Sequence, residues 1–147
     1  MKEFTNTTLN DCALFKLPKI ENAAGSITVI QGNKEIPFNI QRIYYLYDIP
    51  GGAGRGGHAH KTLYQLIIAA GGSFDIVLFD GKERLTIHLN RPYNGLLIPP
   101  GIWRDMSNFS SGAICLVLAS ELYNETDYIR DYEDFNSLKK NSQHEIQ

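Results

Sequence analysis

The sequence predicts an all-β barrel or sandwich. Short runs rich in β-branched and aromatic residues recur along the chain, separated by glycine, proline and asparagine. One run, Arg84–Leu89, alternates strictly, with Leu85, Ile87 and Leu89 on one face. The pattern changes only after Ser120, where acidic and aromatic residues mix and a short C-terminal helical segment is expected.

Residues 1–12 are polar. Residues 13–20 alternate weakly, and Pro18, which has no N–H to donate, restricts them to a sheet edge. Ala24-Gly25-Ser26 reads as a turn, followed by a β-branched strand over 26–30. A tyrosine-rich strand is expected over 41–48, broken by Pro50-Gly51-Gly52. The next strand carries His58 and His60 and is expected to run on through Leu63 to Ala70. Gly71-Gly72 should start a hairpin into a strand over 73–79, and Asp80-Gly81 is a strong tight-turn signal ahead of the alternating run. A short strand over 95–98 ends at Pro99-Pro100-Gly101, and 113–119 is a fully apolar strand. The expected organisation is one domain over residues 1–136 and a loose polar tail over 137–147.

At 147 residues and 43% apolar content the chain suits a single core. The formal net charge of −2 gives no reason to expect a nucleic-acid partner. No apolar run reaches the length of a membrane span, and the N-terminus lacks the apolar core of a secretory signal. Cys12 and Cys115 sit far apart in unlike surroundings, and neither belongs to a metal or redox motif. A cytoplasmic protein with no membrane partner is expected.

The chemistry concentrates between Gly52 and Gly72. In a strand, side chains alternate faces, so His58 and His60 point the same way, and two adjacent imidazoles can bind a metal or move protons. Gly52, five residues, His58-Ala59-His60, four residues, Gln65, six residues, Gly72 resembles the first cupin motif, G-x5-H-x-H-x3,4-E-x6-G. Pro99-Pro100-Gly101-Ile102-Trp103-Arg104 and then Asn108 resembles the second, P-x-G-x2-H-x3-N. Two positions depart from the pattern. Gln65 stands where a metal-binding cupin has a glutamate, and Arg104 where it has its third histidine. A divalent cation wants neutral imidazoles and an anionic carboxylate, and a permanently charged guanidinium repels it. The resemblance therefore implies a cupin-type jelly-roll barrel with no metal and no cofactor, two histidines kept and a cation added.

Further strings extend the likeness. They are Arg55-Gly56-Gly57-His58-Ala59-His60-Lys61, Trp103-Arg104-Asp105-Met106, Leu118 to Tyr123, and Glu125 to Tyr132. Together they look like the sugar 3,4-ketoisomerase (WxcM-like) family, over roughly Leu14 to Phe135. The family resemblance implies a small homodimeric cupin enzyme. Its substrate would be a dTDP-linked 4-keto-6-deoxyglucose, converted to a 3-keto sugar through an enediol for 3-amino-3,6-dideoxy sugars of a surface polysaccharide or glycoprotein. His58 and His60 are the candidate catalytic residues, one as base at carbon and one relaying protons between O3 and O4, in an order the sequence leaves open. Arg42, Tyr44, Arg55, Lys61, Gln65, Trp103 and Arg104 are the candidate substrate-binding residues, the cations for the diphosphate and tyrosine for thymine or phosphate. Trp103 also reads as a packing residue beside the site. Arg104 resembles the branch that yields the galacto-configured product. A nucleotide-sugar epimerase of the same barrel class and a noncatalytic sugar-binding cupin are the rival readings. Residues 13–30 are the candidate segment for exchange between subunits.

Overall fold

The structure is a computed structural model and describes residues 2–145. Twelve strands and one α-helix follow in chain order among the described residues. They are β1 (Ala13–Lys16), β2 (Lys19–Asn22), β3 (Gly25–Thr28), β4 (Arg42–Leu46), β5 (Arg55–His60), β6 (Gln65–Gly71), β7 (Phe74–Phe79), β8 (Arg84–Leu89), β9 (Asn94–Ile98), β10 (Trp103–Ser107), β11 (Ile114–Ala119), β12 (Tyr128–Ile129) and the helix α1 (Tyr132–Glu145). Two five-stranded antiparallel sheets face each other, ordered β1-β9-β6-β11-β4 and β12-β5-β10-β7-β8, and β2 and β3 form a separate hairpin. This is the cupin-type jelly-roll barrel that the motifs imply.

Strand alternation fills the barrel. Ile67, Ala69, Phe74, Ile76, Leu78, Leu96, Ile98, Met106, Cys115 and Val117 form the inner core between the sheets. The outer face of the first sheet carries a second layer, Leu66, Ile68, Leu97 and Leu118, covered by Leu17, Ile36 and Phe38. The outer face of the second sheet buries Ala59, Phe79, Trp103 and Ile129 beneath Phe135 of α1. β6 is buried on both faces for this reason, so its pattern is a continuous apolar run rather than an alternation.

Two strand expectations are corrected. The histidine strand does not continue to Ala70. It ends at His60, and residues 61–64 carry the chain from the second sheet to the first, where β6 begins at Gln65. The backbone N–H groups of Lys61 and Thr62 are held there by Asp127, through its carbonyl and its carboxylate, which stops the β ladder. Gly71-Gly72 likewise is not a hairpin turn, because β6 and β7 belong to opposite sheets. Gly72, at φ +63°, turns the chain across the barrel's end where a Cβ would strike the Ser110 hydroxyl. Asp80-Gly81 does turn the β7–β8 hairpin, with the Asp80 carboxylate accepting from the N–H groups of Lys82 and Glu83.

The C-terminal helix is longer than the aromatic stretch suggested. Asp131 caps it, accepting from the N–H groups of Glu133 and Asp134, and it runs on to Glu145 through residues expected as a loose tail. Residues 146 and 147 of that tail lie outside the described residues. Lys139 explains the extension. Its buried ammonium donates to the carbonyls of Phe4 and Thr7 and to the Thr7 hydroxyl, tying the helix to the N-terminal segment.

Candidate active site

The two histidines sit together as alternation requires. On β5, His58 and His60 turn inward with ring centroids 4.8 Å apart and edge to face. His58 pairs in register with Arg104 on β10, and His60 with Tyr128 on β12. Tyr128 stacks beside both imidazoles, at 5.3 and 4.4 Å.

A cavity of about 360 Å³ opens above them, lined by Arg42, Tyr44, Leu46, Arg55, His58, Met106, Tyr123, Tyr128 and Arg130. Three of these side chains are arginines and none is an acid, so the opening favours an anion. β4 contributes Arg42, Tyr44 and Leu46 from alternate positions, which turns Ile43 and Tyr45 to the outside. Arg42 lies over the rings of Tyr44 and Tyr123, and Arg130 over Tyr128 at 4.2 Å. Arg130 is also gripped by Glu125, which lies 2.6 Å from its Nε.

Behind the cavity, Gln65 and Arg104 occupy the positions of the absent metal ligands and bond to each other. Arg104 donates to the Gln65 amide oxygen and to the Ile102 carbonyl, and the Gln65 amide nitrogen donates to the Tyr44 hydroxyl at 3.0 Å. A cation placed there would face this guanidinium. Among the described residues, no three His, Cys, Asp or Glu side chains converge as a metal site. Burial pushes the Tyr44 phenol pKa upward, so it stays protonated. Since its oxygen accepts from Gln65, its own proton is free to be donated.

His60 is fully buried, and its Nδ1 lies 2.9 Å from the Asp127 carboxylate. Burial pushes its pKa down to about 4, against the opposing pull of Asp127, so the ring is neutral near neutral pH. Burial alone would raise Asp127. The hydrogen bonds from His60 and Thr62 outweigh it and bring the carboxyl to about 2.

Of the residues expected from the sequence, Arg42, Tyr44, Arg55 and His58 line the cavity, while His60, Gln65 and Arg104 stand behind it. Two are elsewhere. Lys61 is exposed and borders a neighbouring depression with Asp134 and Ser137. Trp103 points out of the barrel beneath α1, packed on Tyr132 and Phe135, with its indole N–H donating to Asp105. It precedes Arg104 on the same strand, so alternation places one outside when the other is inside. Tyr123, Asp127, Tyr128 and Arg130 were not foreseen as site residues. The signal was present as Asp127-Tyr128-Ile129-Arg130, whose buried Ile129 faces the helix while its neighbours face the site.

A jelly-roll barrel with a histidine pair beneath an arginine-rimmed cavity is the frame of an acid–base catalyst for an anionic ligand. The sequence model of the WxcM-like, C-terminal family matches residues 10–140, and the chain belongs to that family. It is 45% identical over 117 residues, 80% of this chain and 84% of the relative, to a TDP-4-oxo-6-deoxy-alpha-D-glucose-3,4-oxoisomerase of Aneurinibacillus thermoaerophilus. Its fold superposes with a TM-score of 0.89, at 42% identity, on a His-to-Asn variant of the 3,4-ketoisomerase QdtA from Thermoanaerobacterium thermosaccharolyticum in complex with TDP-4-keto-6-deoxyglucose, covering 91% of this chain and 97% of that one. The TDP-quinovose 3,4-ketoisomerase WlaRB of Campylobacter jejuni gives a TM-score of 0.83 at 46% identity, covering 86% and 98%.

Proposed function

We propose that the chain isomerises a dTDP-linked 4-keto-6-deoxyhexose, moving the carbonyl from C4 to C3. The observation that carries this is the placement of His58 against an arginine-rimmed cavity with Tyr44 facing it. Arg42, Arg55 and Arg130 offer the charge a nucleotide diphosphate needs. His58 removes the C3 proton, acidified by the neighbouring carbonyl, while Tyr44, rather than the second histidine expected from the sequence, protonates O4 to give the 3,4-enediol, because His60 is fully buried behind the cavity that Tyr44 lines. The O3 hydroxyl then returns a proton to the tyrosine as C4 takes one from the histidine, leaving the carbonyl at C3. Oxidation at C3 balances reduction at C4, so the electrons stay within the sugar.

The test is proton NMR of the protein with dTDP-4-keto-6-deoxyglucose. A 3-keto product is expected, with deuterium at C4 when the reaction runs in D2O. A carbonyl retained at C4 would instead give the epimerase reading, and an untouched but bound sugar the noncatalytic one. For the C4 configuration two readings stand. Arg104 underlies the expectation of a galacto product, whereas 46% identity to an enzyme named for quinovose, a gluco sugar, favours the gluco product. In H2O the coupling of the C4 proton separates them, large for gluco and small for galacto.

The protein is proposed to act as a homodimer. Ile20 and Ile27 pair across the β2–β3 hairpin and are both more than half exposed, as are Ile43 and Tyr45 on the edge strand β4. Sedimentation should give twice the chain mass. No described helix is long and apolar enough to cross a membrane, and both cysteines are free thiols, which fits action in the reducing cytoplasm.

A further inference from the structure

Asp127 lies outside both motifs, yet its two oxygens are divided between two neighbours. Oδ1 accepts from the Thr62 backbone N–H at 2.7 Å and the Thr62 hydroxyl at 2.8 Å. Oδ2 lies 2.9 Å from His60 Nδ1. Thr62 is placed for this by the crossover that ends β5, since the Lys61 N–H donates to the Asp127 carbonyl at 3.0 Å. An ionised carboxylate only accepts, so the proton between Asp127 and His60 belongs to Nδ1, and a neutral imidazole carries one proton. His60 Nε2 is therefore a bare acceptor, and it is buried without a hydrogen-bond partner.

We propose that Asp127, clamped by Thr62, is a positioning residue for the isomerisation, fixing His60 in the tautomer whose unprotonated Nε2 faces the interior beside His58. The role rests on the isomerase reading above. His58 lines the cavity and His60 stands edge-on behind it, with ring centroids 4.8 Å apart. Its surroundings keep it neutral. Arg104 on β10 and Arg42 on β4 oppose a positive charge there, Asp127 favours one, and the rings of Tyr128 on β12 and His58 on its own strand pack against it. Burial outweighs the carboxylate. Asp127 thus supplies orientation rather than protonating or charging the ring.

The experiment is 15N NMR of histidine-labelled full-length protein together with steady-state kinetics on dTDP-4-keto-6-deoxyglucose. The His60 signals are assigned by their loss in His60→Gln. The expected spectrum at neutral pH has Nδ1 protonated and Nε2 of pyridine type. In Asp127→Asn the Thr62 N–H keeps the amide oxygen on its own side, so the amide NH2 meets Nδ1 and the proton moves to Nε2. Turnover then falls about 100-fold or more with KM little changed, the pattern of a wrong tautomer. Thr62→Val keeps the backbone N–H, so it retains the wild-type tautomer and loses less than about 10-fold. A protonated Nε2 in the wild type overturns the proposal whether or not Asp127→Asn folds. So does an Asp127→Asn enzyme within a few-fold of wild type. A wild-type protein that leaves the sugar unchanged defeats the isomerase reading and with it the catalytic role of Asp127, while the spectrum still reports the tautomer.

Discussion

Arg104 and Gln65 hydrogen-bond across the barrel, one from each sheet. Arg104 is 1% exposed, and its hydrogen-bond partners are an amide oxygen and a backbone carbonyl, neither of them charged. Burial pushes its pKa down to about 10, still cationic at neutral pH, and its Nε has no hydrogen-bond partner. A buried cation without a bonded carboxylate is costly to fold. Its presence at the floor of the site points to chemistry rather than stability.

Arg104→Met should therefore stabilise the protein, by about 1–3 kcal/mol, while turnover falls steeply. Urea unfolding and turnover of the same preparation check this. Loss of stability of that size would show that the guanidinium holds the barrel together.

The pair also stands where a metal-binding cupin has two of its ligands, which leaves the histidines without the carboxylate and third imidazole a divalent cation wants. Replacing Gln65→Glu and Arg104→His together would put a carboxylate and a third imidazole beside His58 and His60, whose inner ring already has Asp127 behind it. Calorimetric titration should then detect binding of nickel or zinc by the double variant and much weaker binding by the native protein. Equal affinities would count against this placement of the four side chains.

Acid should unfold the protein partly through His60. Its folded pKa, about 4, lies below the ordinary 6.5, so between these values the unfolded chain binds more protons and stability falls as pH drops. Asp127 adds to the loss below pH 3.8, down to its folded value near 2. Up to roughly 3 kcal/mol is at stake for His60. Denaturation midpoints measured from pH 7 to 4 should decline in the wild type and much less in His60→Gln.

Trp103 gives the opposite kind of prediction. It packs under α1 with Phe79 and Phe135, outside the cavity. Trp103→Phe should cost about 1–3 kcal/mol of stability through lost packing and the lost bond to Asp105, and leave KM for the nucleotide sugar unchanged. A raised KM would return this residue to the binding surface.

Spacing made the barrel and the histidine pair legible, because H-x-H on a strand and the two glycine-bounded motifs are local features. Strand boundaries around Lys61 to Tyr64 were not, since Leu63 and the apolar run after it look like one strand. The break is imposed by Asp127, more than sixty residues away in sequence. The same distance hid Asp127, Tyr128 and Arg130, which reach the histidines only through the pairing of Tyr128 with His60 and Ile129 with Ala59. The reach of α1 was hidden by its composition. Lys139 in a polar stretch gives no hint that its ammonium is buried on the carbonyls of Phe4 and Thr7.

The two-residue strand β12 has a consequence for how a newly made molecule becomes active. Synthesis runs from the N-terminus, and every strand of both sheets except β12 has been made once Ala119 is added. A nascent chain therefore holds both histidines before it holds Asp127 or Arg130. Under the proposals above, the site is completed only when the two residues flanking this last strand have left the ribosome.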